Sequence, residues 1–137
     1  MKKETVTDKQ INKMKNNNPT PRGFSMYRLE IFPINLIIGN FENIPDLKNY
    51  LDFKEDIDAA YSDAVTFTSR NIVDNSFNVC ILFENDNVDS STVVHETAHA
   101  TFCVMDFLGI PVSSECDEVF AYIQEYIHSK CESYLAG

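Results

Sequence analysis

The chain has 137 residues, enough for one domain with its own core and too few for a second of ordinary size. Apolar residues make up 44 %, including ten Phe and six Tyr, so a core can close without disulfide staples, yet no stretch nears the roughly 20 apolar residues of a membrane span. The formal charge is −10, with residues 1–22 at +4 (six Lys or Arg against Glu4 and Asp8) and the rest at −14; a body this acidic repels phosphate backbones, which speaks against nucleic acid as a partner.

Residues 1–23 are polar, rich in Lys and Asn, and close on Asn18-Pro19-Thr20-Pro21. Such a segment cannot bury enough apolar surface to order itself, so it reads as a disordered, polar, basic leader. An electrostatic tether is its functional alternative. It also lacks the apolar run of a secretory signal, so a soluble cytoplasmic protein with no membrane partner is expected. The single folded domain is placed at 24–137.

Residues 27–38 are bulky and β-branched, and predict one or two short strands that Pro33 interrupts or confines to a sheet edge. Residues 46–60 carry Leu47, Tyr50, Leu51, Phe53 and Ile57 at spacings of three and four. That pattern predicts an amphipathic supporting helix, broken near Lys54. Residues 65–68 alternate, and Phe77–Phe83 is a nearly continuous apolar run between turn residues. Both read as strands, the second well buried.

Asp89, Ser90 and Ser91 offer N-cap oxygens ahead of a helix over 92–108, and Gly109 with Pro111 supplies its stop. Ser113 and Ser114, with Asp117 three residues after Ser114, predict an acidic capping box for a last helix running to about residue 134. The four cysteines, Cys80, Cys103, Cys116 and Cys131, form no CxxC pair and read as reduced, mostly buried side chains.

The chemistry sits on these two helices. His95 and His99 are four residues apart, so they share a helix face and their imidazoles can meet at one ion. Zinc suits this pair, because neutral imidazole is a good ligand for a four-coordinate borderline-soft cation. Glu96 leaves the backbone about 100° from His95, which places it beside the metal, able to hold a water and take its proton. Val93, Val94, Ala98 and Phe102 give the motif an apolar setting.

A catalytic zinc takes three protein ligands and leaves a fourth position for water. Residues 100–106 lack the Gly and His that would continue a metzincin motif. The last helix presents Glu115 and Glu118 at its N-terminal end, the latter 19 residues after His99, and spacing alone does not choose between them. Glu115 also has the plainer role of a helix-dipole partner.

The segment Val94-His95-Glu96-Thr97-Ala98-His99-Ala100, followed by Asp117-Glu118-Val119-Phe120-Ala121-Tyr122, resembles the gluzincins. In particular it is similar to compact HExxH proteins encoded by phages and prophages. The resemblance covers about 50 residues and implies a zincin-like metallopeptidase with one Zn²⁺ per chain. On it, His95, His99 and Glu118 are the ligands and Glu96 is the general base.

Two positions depart from the pattern. Thr97 replaces a bulky apolar residue, which concerns packing. Tyr122 stands where larger gluzincins place an Asp that supports a ligand, so Asp106 and Tyr122 are the candidates for that outer role. Tyr122 and Tyr126 are also placed to donate to an oxyanion, although a tyrosine ridge at spacing four more often packs. His128, ten residues or about 15 Å beyond Glu118 on the helix, reads as an exposed histidine.

The expected architecture is α+β, a minimal zincin-like domain. It has a small mixed or antiparallel sheet of three or four strands, a supporting helix, the HExxH helix and the C-terminal ligand-Glu helix. The expected activity is zinc-dependent hydrolysis of a peptide or protein substrate laid along the sheet edge, against Phe77–Phe83 or the adjacent edge strand. The alternative is a non-catalytic, zinc-stabilised module that binds a protein. Retention of Glu96 favours catalysis, since a structural site needs no base.

Overall fold

The computed structural model describes residues 23–29, 33–52 and 63–137. The proposed leader, apart from Gly23, and most of the proposed supporting helix lie outside these residues. The architecture is α+β, with a mixed five-stranded sheet carrying two long helices on one face.

Pro33, exposed, separates the first two strands: β1 (Ser25–Leu29) pairs antiparallel with β2 (Ile34–Asn40). The next elements are a 3₁₀ turn (Phe41–Asn43), the one-turn helix α1 (Ile44–Leu47) and the two-residue strand β3 (Leu51–Asp52). Then come β4 (Ala64–Asn71) and β5 (Phe77–Phe83), in the spatial order β1-β2-β5-β4-β3. The β2–β5 pair is parallel and the other three are antiparallel.

The sheet has five strands, one more than the upper expectation, and the proposed helix over 46–60 is corrected within its described part. Helix α1 stops at Leu47, and Tyr50 closes a turn by donating to the Leu47 carbonyl at 3.0 Å. Leu51 and Asp52 then pair with Asn71 and Arg70, and Ile72 donates to the Tyr50 carbonyl at 2.8 Å. Helical spacing in the sequence thus yields to non-local strand pairing, which local periodicity does not register.

Period-two alternation divides the core between two faces. On one face Ile34, Leu36 and Ile38 of β2 meet Val79, Ile81 and Phe83 of β5, under helices α2 (Ser90–Leu108) and α3 (Asp117–Ala136). On the other, Ile37, Cys80 and Leu82 pack with Phe24, Met26, Leu47 and Leu51. Each such side chain, fully buried, contributes about 1.5–3 kcal/mol. Gly39 is required by close approach, since a Cβ there would lie 2.8 Å from Asn43 Oδ1 and 2.9 Å from Phe24 Cβ.

Gly109 ends α2 in the left-handed region at φ 71°, as its position predicts, with Ile110 N donating to the Met105 carbonyl at 3.0 Å. The proposed capping box of the last helix does not form. Ser114–Cys116 make a 3₁₀ turn, α3 begins at Asp117, and neither Ser113 nor Cys116 caps with its side chain. The tighter turn satisfies backbone groups that the box would have served, with Cys116 N donating to the Ser113 carbonyl at 3.0 Å.

Tyr134 near the end of α3 clips the start of the described fold, donating to the Gly23 carbonyl at 2.8 Å. All four thiols are unpaired; Cys80 and Cys131 are buried, while Cys103 and Cys116 are half-buried. Among the described residues no helix is long and apolar enough to cross a membrane.

Candidate metal centre

Helix α2 divides its faces as the 3.6-residue period requires. Val93, Glu96, Thr97, Ala100, Thr101 and Val104 are buried, while His95 and His99 are exposed. The two imidazoles converge, with Nε2 to Nε2 at 3.1 Å and ring planes 77° apart. The two nitrogens are within hydrogen-bond distance of each other, one ring donating and the other accepting, and imidazoles this close on adjacent turns could both reach a single cation.

Glu96 turns the other way, under the helix, and only 9 % of its side chain is exposed. Thr66 of β4 donates to its Oε1 at 2.7 Å, while its Oε2 lies 4.0 Å from His95 Nε2. The same hydroxyl lies 3.2 Å from the Glu96 backbone carbonyl, so Thr66 fixes both the carboxylate and its turn of helix. Glu96 thus sits on the buried side of the helix, next to His95. An open cleft of about 380 Å³ runs beside it, lined by Asp63, Ala64, Ser91, Thr92, His95 and Glu96.

Thr66 and Asp63 escape the sequence reading. Thr66 reads as one member of an alternating strand, and nothing local marks that its hydroxyl will reach a carboxylate 30 residues later.

Glu118, like Glu115, is exposed at the start of the last helical segment, and it is not brought to the imidazoles. Among the described residues no three His, Cys, Asp or Glu side chains gather closely enough to hold a metal. Phe102 meets Phe120 with ring centroids 5.3 Å apart, one of the contacts between α2 and α3. Tyr122 is 66 % exposed. Asp106 is exposed two turns beyond His99. His128 is half-buried and lies 3.3 Å from Glu132.

Thr97 is fully buried between α2 and the rest of the core. Its neighbour Cys131 is pushed up to about 12 by burial, which outweighs the lowering contact with Thr97 and exceeds the effects of Glu132 and Glu96. Cys80 is likewise raised to about 12 by burial, against a lowering contact with Ser69. Both thiols are fully buried and act as packing groups in the core.

The chain matches no protein-family model, no curated protein and no solved structure.

Proposed function

We propose that this protein is a zinc-dependent peptidase of the HExxH type. The observation that carries the reading is the convergence of His95 and His99 beside a Glu96 carboxylate anchored by Thr66. His95 and His99 would hold the ion; the resemblance in sequence selects Glu118 as third ligand, a side chain that does not meet the two imidazoles here and would have to approach them as the ion binds. The metal, when bound, supplies polarisation of the peptide carbonyl and a lowered water pKa.

Glu96 takes the proton of the attacking water as the new C–O bond forms, and passes it to the amine as the C–N bond breaks. The Thr66 hydrogen bond restricts the carboxylate to one orientation, so less freedom is lost at the moment of reaction. An extended peptide would lie along a sheet edge. Strand β5 is paired on both sides and so is unavailable, but β3 pairs only with Asn71 and Arg70 of β4. The described residues place no strand beyond Ala64, Val65 and Thr66, and Ala64 lines the cleft at His95.

The second reading, a zinc-stabilised protein-binding module, draws on the exposed Phe102, Val112 and Tyr122. Glu96→Gln separates the two. It keeps size and one acceptor but removes the base, so zinc content should hold while hydrolysis of a peptide library falls at least about 10²-fold. Equal partner binding by wild type and variant, with cleavage by neither, would favour the module.

A further inference from the structure

The helical hairpin that carries the histidines has an unusual surface. Between Arg70 and Lys130 the sequence contains no lysine or arginine and ten carboxylates. Asp89, Asp106, Glu115, Asp117, Glu118 and Glu125 are all exposed on or beside the two helices. Of seven large apolar side chains exposed among the described residues, five belong to the same region: Val94, Phe102, Val112, Val119 and Tyr122.

Of these, Phe102, Val112 and Asp106 line a groove of about 450 Å³ together with Cys103, Ile110 and Pro111. Steps of four, seven and eleven residues return to one side of a helix, so His95, His99, Phe102 and Asp106 form a single exposed stripe of α2. Asp106 lies about 10 Å along the axis from His99. An extended chain advances about 3.3 Å per residue, so a peptide held at the imidazoles reaches the groove roughly three residues away.

We infer that the groove docks the substrate itself: an extended peptide with a bulky apolar side chain and a lysine or arginine beside it. This deepens the peptidase reading and rests on it. The apolar wall from Phe102 to Val112 accepts the side chain, and Asp106 with the surrounding carboxylates selects the cation. Like charges close to such a wall would oppose an acidic peptide. The preference is electrostatic, so salt weakens it.

The test uses two fluorescent decapeptides with the same central Leu-Phe, one flanked by lysines and the other by glutamates. Their binding to zinc-supplemented Glu96→Gln protein is read by fluorescence anisotropy. The lysine peptide should bind at least about tenfold tighter at low salt, with the ratio shrinking as salt rises. Asp106→Lys should reduce the ratio several-fold, whereas Glu42→Lys, the same charge change at an exposed site on the 3₁₀ turn, should reduce it little. Val112→Ser, at an exposed loop position, should weaken both peptides.

Equal binding, preference for the glutamate peptide, no binding, or equal effects of the two lysine substitutions would each overturn the inference. Zinc-dependent cleavage indifferent to charge would overturn it while leaving the peptidase reading intact. The same lysine preference in protein that neither binds zinc nor cleaves would keep the docking face and remove the peptidase reading.

Discussion

Thr66 and Glu96 meet across the gap between β4 and α2, with the threonine hydroxyl 2.7 Å from the carboxylate oxygen Oε1. The contact ties the proposed base to the sheet rather than leaving its orientation to the helix alone. A hydrogen bond to a charged group contributes about 1.5–3 kcal/mol. Thr66→Val keeps the shape and removes the donor, so hydrolysis should fall about ten- to a hundredfold with zinc content unchanged. Thr66→Ser should restore most of it. A valine variant as active as wild type, in steady-state assays, would remove Thr66 from the positioning role.

Glu118 and Glu115 are both exposed and only three residues apart, so alanine at each offers a matched comparison. If the proposed ligand set holds, Glu118→Ala should weaken zinc affinity by at least about tenfold, while Glu115→Ala should leave it near wild type. Competition against a chromogenic chelator measures both. The reverse order would place the third ligand at Glu115.

Cys80 and Cys131 give a pH signature. Both are raised by burial from 9.0 to about 12 in the fold, so the unfolded chain ionises first as pH rises. Between those values the native state binds the extra proton, and stability falls by up to about 1.4 kcal/mol per pH unit for each thiol. Urea unfolding from pH 8 to 11 should show the loss, and Cys80→Ala should flatten the slope. Ellman's reagent at pH 8 should leave both thiols unreacted until the protein unfolds. Rapid labelling of all four thiols in the native state would contradict their burial.

What the sequence revealed depended on whether the decisive signal was local. Gly109, the apolar run Phe77–Phe83 and the face shared by His95 and His99 are set by nearest-turn or alternating geometry, and each is where the pattern puts it. Leu51 was hidden because its ladder partner, Asn71, is 20 residues away, and the helical spacing around it has no knowledge of that partner. Thr66 was hidden for the same reason. Ser113 and Ser114 misled as caps because a 3₁₀ turn offers the backbone another way to satisfy itself. The distance between Glu118 and the histidines depends on how α2 and α3 register through Phe102 and Phe120, a tertiary packing fact that counting residues cannot supply.

The most direct test is the zinc content of the purified protein, read by elemental analysis and completed by titration of the apo form. One ion per chain is expected, lost in His95→Ala and in His99→Ala but retained in Glu96→Gln. Protein that holds no zinc and binds none on titration would contradict the metal centre.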